Sequence, residues 1–228
     1  MTLIIVGAKI STFTRTIRLA LEHLNIPYEL LETLPHEELA YKYNAFGKIP
    51  TLTDNDLVVN ETLAIRRYID HINEHHTKSL EPEGIQKLLQ VDQWVSIASD
   101  YAFRELILAI SKPRQGMEGK GQCEADIQAS LKNCLDRARV VLRAIEQHLV
   151  SGKVQENGWL CGSSITWADL FMFPVFADFA SLPERKLMQQ ESPQLWKWYQ
   201  RFAKTDIAAK TFQGTVADQR KESHQSSL

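Results

Sequence analysis

The chain has 228 residues, 44% of them apolar and 24% charged, with a formal charge of −2 at pH 7. That composition excludes disorder and collagen-like repetition and suffices for one large domain or two small ones. No block of Lys or Arg stands out, so no nucleic-acid partner is expected. The first apolar stretch, residues 2–6, is too short for a membrane span and lacks the basic flank of a secretory signal, so a cytoplasmic protein without a membrane partner is expected. Cys123, Cys134 and Cys161 are odd in number and widely spaced. They form neither a disulfide framework nor a zinc set, in keeping with a reducing compartment.

The first eighty residues alternate element types. Residues 3–6 read as a short strand, residues 14–24 as a helix with Ile17, Leu21 and Leu24 on one face, and residues 28–31 as a second strand after the helix-ending Asn25-Ile26-Pro27. A polar segment over residues 35–47 follows. Residues 51–53 and 57–59 then form a hairpin about the Asp54-Asn55-Asp56 turn, and residues 61–74 a helix carrying Leu63, Ile65, Ile69 and Ile72. The order is βαβ, then ββα, which predicts an α/β domain over residues 1–78. Beyond Pro82 and Gly84 the pattern is helical, and residues 84–228 read as an all-α bundle. Residues 85–109 and 125–149 form its long core helices, and further helices start near Thr166 and Pro193. Residues 111–122, with Pro113, Gly116, Gly119 and Gly121, suit a mobile exposed loop, and the polar tail 219–228 suits a frayed end. Thr166-Trp167-Ala168-Asp169 has the spacing of a capping box, with Ile165 and Leu170 at staple positions, and is read as structural.

Three short segments could carry chemistry. Pro50 enters a strand from a Gly-containing loop, where a proline cannot donate to the ladder. A cis Ile49-Pro50 bond there would leave the backbone of Ile49 open to an extended peptide, whereas an ordinary loop-to-strand proline would not. Asn60-Glu61-Thr62 opens a helix whose free N–H groups and positive dipole end suit an amino-acid head group; the alternative is that these residues merely cap the helix. Ser11-Thr12-Phe13-Thr14-Arg15 lies between the first strand and the first helix. A hydroxyl at such a terminus can donate to a bound thiolate and lower its pKa, or simply cap. An unperturbed thiol of pKa about 8.5 is a few per cent ionised at pH 7, so a drop of about two units makes thiolate the main form.

These residues, from Ser11-Thr12-Phe13-Thr14-Arg15-Thr16-Ile17-Arg18 through Asn44-Ala45-Phe46-Gly47-Lys48-Ile49-Pro50 to Glu61-Thr62, resemble in order and spacing the soluble glutathione transferase superfamily, and the resemblance spans nearly the whole chain. It implies a thioredoxin-like first domain with a mixed sheet, a helical second domain, and a homodimer. Glutathione is then the co-substrate: Ile49, ahead of Pro50, pairs with its cysteinyl backbone, Glu61 and Thr62 hold its γ-glutamyl end, and Lys48 and His36 lie near its glycyl carboxylate. Ser11 stands at the position of the catalytic serine, with Thr12 and Thr14 in reserve. Thr12 replaces the proline that often follows that serine, and Ala45 replaces the proline of the usual Asn-Pro-Phe-Gly segment. No Tyr or Cys stands before the first helix, which sets aside the tyrosine-dependent and mixed-disulfide classes.

The implied reaction is attack of the glutathione thiolate on a small electrophile. Phe13, Tyr101 and Arg104 are candidates for its pocket, although Trp94, Tyr101 and Phe103 on the long helix suit a core equally well. A glutathione-binding carrier or regulatory module of the same fold is the alternative, and a translation-factor-like scaffold a third. His71 and His75 have a metal-compatible spacing without a further ligand, and no metal is expected.

Overall fold

The computed structural model describes residues 3–74, 78–151 and 158–225, with the side chains of 222–225 left aside. His75 lies outside the described residues. The chain forms two compact units, residues 1–82 together with 204–228, and residues 83–203.

In the first unit, β1 (Leu3–Gly7), α1 (Thr12–Leu24), β2 (Tyr28–Glu32), α2 (Glu38–Tyr43), β3 (Thr51–Asp54), β4 (Leu57–Asn60) and α3 (Thr62–Ile72) follow one another. The sheet order is β2-β1-β3-β4, with β1 parallel to β2 and antiparallel to β3, and β3 antiparallel to β4. The expected βαβ-ββα order and mixed sheet are therefore present. Leu3, Ile5 and Val6 of β1, Ile17, Leu19 and Leu21 of α1, Leu52, and Ile65 and Ile69 of α3 are buried and form the core of this unit. Asn25 ends α1 in the left-handed conformation, φ 56°, a standard helix stop. The polar segment 35–47 holds the six-residue α2, too short to announce itself by periodicity.

Near the end of α1, His23 is half-buried, and burial, followed by the Lys78 charge, lowers its pKa below 6.5. A base with a depressed folded pKa stabilises the fold above its unfolded value and loses that contribution as pH falls. Thermal stability should therefore decline from pH 6.5 downward, and His23→Gln should flatten the decline in melting curves taken from pH 7.5 to 5.5.

The second unit is helical: α4 (Ile85–Ser96), a π-helical stretch (Ile97–Ser111), α5 (Lys112–Gly119), α6 (Glu124–Ser151), α7 (Trp167–Ala180), α8 (Arg185–Glu191) and α9 (Pro193–Phe202). α4, the π stretch and α5 run on without a break, since the joining residues Ile97, Ser111 and Lys112 keep right-handed helical angles. Ala98, Ala102, Leu106 and Ile110 recur in steps of four on the buried side of the π stretch. α7 is buried on every side and packs against α4, the π stretch, α8 and α9. It begins in the anticipated capping box. The Asp169 carboxylate accepts from the Thr166 N–H at 3.0 Å and hydroxyl at 3.1 Å, the Leu160 N–H at 3.0 Å and the Trp198 Nε1–H at 2.8 Å. Burial pushes this carboxyl above the ordinary aspartate range, against those four donors. Cys161 is buried too, and its thiol is pushed up to about 12, chiefly by burial.

Two sequence expectations fail. Residues 112–119 are helix, not a mobile loop. Pro113 lies inside this continuous helix and withholds one N–H from its ladder, and Arg114, 1% exposed, pairs with Glu118 at 3.0 Å, Glu184 at 2.5 Å, and Glu124. Three carboxylates from α5, α6 and the turn before α8 thus override the low helix propensity of Gly116 and Gly119. Residues 219–225 of the tail are helical as well: α10 (Asp206–Lys210) and α11 (Val216–Gln225) belong to the first unit, and residues 226–228 lie outside the described residues. Among the described residues no helix is long and apolar enough to cross a membrane.

Candidate active site

Strand register gathers the first unit's predicted site residues. Val6 pairs with Thr51 and Thr51 with Asn60, while Gly7 pairs with Glu32 in β2. The residues just beyond this row, Ala8 to Ser11, Thr33 to His36, Pro50 and Glu61, therefore leave the sheet at one end. A single end of the sheet collects segments more than fifty residues apart in sequence, from Ala8 to Glu61. The N-termini of α1 and α3 lie at this edge as well, and neither helix has an acidic residue in its first turn. The dipole end of α1 favours negative charge there, while that of α3 has the acidic Glu61 at its N-cap.

Ser11 is half-buried and is the N-cap of α1, its Oγ accepting the Thr14 N–H at 3.3 Å. Capping and catalysis are compatible, because a hydroxyl that accepts one hydrogen bond keeps its own proton to donate. Thr14 is wholly buried beneath Gly7, where an added Cβ would lie 2.5 Å from the Thr14 Oγ1. Thr12 is buried as well, at 6% exposure. Phe13 is half-buried on α1.

The Ile49-Pro50 bond is cis. Pro50 is buried and Ile49 half-buried, immediately before β3. On the neighbouring strand the side chain of Asn60 accepts the Thr51 hydroxyl at 2.7 Å and donates to the Tyr43 carbonyl at 3.3 Å, so it does not cap α3. Glu61 takes the N-cap position with φ 66° and ψ 125° and makes no side-chain capping bond. A non-glycine residue held there costs on the order of 1–3 kcal/mol, and such strain clusters at ligand sites. Neither Asn60 nor Glu61 therefore makes a side-chain capping bond to the first turn of α3. Thr62 is half-buried beside them.

His36 also has positive φ, 67°, and its N–H donates to the Gly47 carbonyl at 2.8 Å, which brings it beside Lys48. Its Nδ1 lies 3.2 Å from the Tyr41 hydroxyl, and both His36 and Lys48 are exposed. Gly47 has φ 60° with the Tyr41 ring against it, so the conformation and the close approach both call for glycine. Below this loop, the Leu34 N–H and then the Thr33 hydroxyl hold the Glu37 carboxyl below the usual range and fix the turn that carries His36.

The sequence matches the glutathione S-transferase N-terminal domain over residues 10–72 and the glutathione S-transferase C-terminal domain over residues 128–201, together more than half of the chain. The chain belongs to the glutathione S-transferase superfamily. Similar proteins include glutathione S-transferase F7 of Arabidopsis thaliana, 26% identical over 201 residues that cover 84% of this chain and 90% of that one. A probable elongation factor 1-gamma 1 of Arabidopsis thaliana is 32% identical over 130 residues, 57% of this chain but 28% of that protein. Among solved structures, glutathione transferase F7 from Populus trichocarpa superimposes with a TM-score of 0.78 at 22% identity, covering 93% of this chain and 99% of that one. The thioredoxin-like unit and the helical unit are those of the superfamily fold.

Tyr101 and Arg104 lie on the π stretch of the second unit, both exposed. π winding often marks functional sites. Trp94 is core instead, 3% exposed and edge-on to His148. Among the described residues no group of His, Cys, Asp and Glu is arranged to hold a metal.

Sequence reading missed Arg15. It is 2% exposed, and its Nε donates to the Thr211 hydroxyl and its Nη2 to the Ala208 carbonyl, each at 3.3 Å, fastening the C-terminal segment to α1 one turn beyond Ser11. The available signal was slight: Arg15 stands four residues before Leu19 on one face of α1, opposite the Ile17 and Leu21 face.

Proposed function

We propose that this chain is a glutathione transferase that binds glutathione at the β1–α1, cis-Pro50 and α3 edge, stabilises its thiolate and directs it at an electrophilic small molecule. The observation that carries the reading is Glu61, strained and uncapped at the start of α3, on the same sheet end as the cis Ile49-Pro50 bond and Ser11. The backbone of Ile49 offers the donor and acceptor of an added strand to the cysteinyl residue. Glu61 and Thr62 receive the α-amino and carboxylate groups of the γ-glutamyl end, and Lys48 and His36 the glycyl carboxylate. Ser11 donates its hydroxyl proton to the sulfur, and the dipole of α1 adds to the effect. Phe13, on α1, contacts the electrophile. Binding brings the thiolate and the electrophile together, and a lowered thiol pKa keeps the nucleophile ionised at neutral pH.

We read the protein as cytoplasmic, on the strength of three unpaired cysteines, and as a homodimer, since Phe46 is 73% and Leu63 58% exposed. Glutathione titration by calorimetry tests the central claim. The wild type should bind, and Glu61→Gln should weaken binding about tenfold, the loss of a charged partner for the α-amino group. A wild type that takes up no glutathione at millimolar concentration would overturn the reading.

A further inference from the structure

The first turn of α1 is a weak helix start. Behind the Ser11 cap come Thr12, Phe13, Thr14 and Thr16, all of modest helix propensity. Two bonds close the turn on Ser11: the Thr14 N–H donates to its Oγ at 3.3 Å and the Arg15 N–H to its carbonyl at 2.9 Å. Such a turn stays wound only where tertiary contacts hold it. The C-terminal segment supplies them. Arg15, 2% exposed, donates from Nε to the Thr211 hydroxyl and from Nη2 to the Ala208 carbonyl, and Thr211, wholly buried at the end of α10, donates in turn to the Ile207 carbonyl at 2.9 Å. Ahead of Ser11, Gly214 at φ 79° lies so close to Lys9 that a Cβ would meet its side chain at 2.8 Å. Residues 208–214 therefore brace the chain on both sides of Ser11, at Lys9 and at Arg15.

We propose that residues 208–214 form a strap that sets the direction of the Ser11 hydroxyl, and that Arg15 is the positioning residue that fastens it. The inference rests on the glutathione reading above. A donor acts fully only when the structure behind it holds it in its productive direction. Hydrogen bonds weaken steeply with misalignment, so a hydroxyl that turns with a frayed cap donates to the sulfur for only part of the time. The bound thiol then loses part of its stabilisation although every group that touches glutathione is still present. The Arg15 guanidinium lies against α10, and it acts through Ser11 rather than on the sulfur. The strap thus couples the end of the chain to the ionisation of the co-substrate and leaves the binding of the tripeptide to the Ile49, Glu61 and Thr62 contacts.

The test reads the ultraviolet absorbance of bound thiolate from pH 5 to 9, together with kcat, KM and glutathione affinity, in the wild type, Arg15→Lys, Arg15→Met and Thr211→Val. Asp169→Ala, whose lesion lies in the helical unit, serves as a destabilised control. Thr211→Val keeps the side-chain shape and the Arg15 charge but removes the hydroxyl that accepts from Nε. It should raise the thiol pKa by about one unit and lower kcat at pH 7 about threefold, and Arg15→Met should raise it by about 1.5 units and lower kcat about eightfold, with KM and glutathione affinity within about twofold in both. Arg15→Lys should fall between the wild type and Arg15→Met, and the differences in kcat should close toward pH 9. A thiol pKa unmoved in Thr211→Val would overturn the inference, since a shift confined to Arg15→Met would then report only the lost charge. An equal shift in Asp169→Ala would overturn it as well, because general loosening would suffice. If Arg15→Met does not fold, Thr211→Val decides alone. A wild type that binds no glutathione, or binds it without lowering the thiol pKa, would overturn the functional reading and the inference with it.

Discussion

Ser11→Ala should lower turnover at pH 7 about 20-fold while leaving glutathione affinity within about threefold. The size follows from ionisation. A bound thiol brought down by about two units is mostly thiolate at pH 7, and the same thiol at about 8.5 is only a few per cent thiolate. The mutation removes a donor to the sulfur, whereas the Ile49, Glu61 and Thr62 contacts that would hold the tripeptide remain, so kcat falls and KM scarcely moves. The ultraviolet absorbance of bound thiolate, followed from pH 5 to 9 in both proteins, reads the shift directly. Capping confers a second consequence. Ser11 also accepts the Thr14 N–H, so the alanine variant should lose about 1 kcal/mol of stability, and Ser11→Gly, which caps almost as well, separates the two effects. A thiol pKa that stays depressed in both variants would move the role away from Ser11.

Asp169→Ala should destabilise the helical unit by about 4 kcal/mol and lower its melting temperature by about 10 °C, with little effect on the thiol chemistry of any protein that remains folded. This carboxylate is fully buried and collects four donors from Leu160, Thr166 and Trp198. Truncation leaves those donors without partners in a core where water does not reach them. Trp198 belongs to α9 and Leu160 to the segment before α7, so one side chain ties three parts of the unit at the start of its central helix. Asp169→Asn should recover only part of the loss, because its NH₂ group faces donors on one side. Circular dichroism melts of the three proteins check the order.

The two largest effects fall in parts of the chain with unequal sequence signals. The capping box at 166–169 is a spacing rule between neighbours and was readable as such. Ser11 was readable as a hydroxyl at a helix start, but its placement beside Pro50 and Glu61 depends on the Val6, Thr51 and Asn60 register, which no local pattern states. Glu61 illustrates the limit. An acidic residue at a helix N-terminus is an ordinary answer to the dipole, and only the folded chain shows Glu61 at φ 66° without a side-chain capping bond, with Asn60 already bound to Thr51 and Tyr43.

Apolar periodicity, breaker residues and capping spacing by themselves determined the βαβ-ββα order, the long helices and the start of α7, because these depend on contacts within about one turn or one strand pair. Tertiary structure alone decided that residues 112–119 coil into a helix around buried Arg114, and that the tail returns to the first unit through Arg15. In both places local propensity is weak or misleading, with glycines in one segment and a polar run in the other. A buried guanidinium must find acceptors. Those acceptors come from residues as far as 70 and 196 positions away, and only the folded chain brings them within hydrogen-bonding distance.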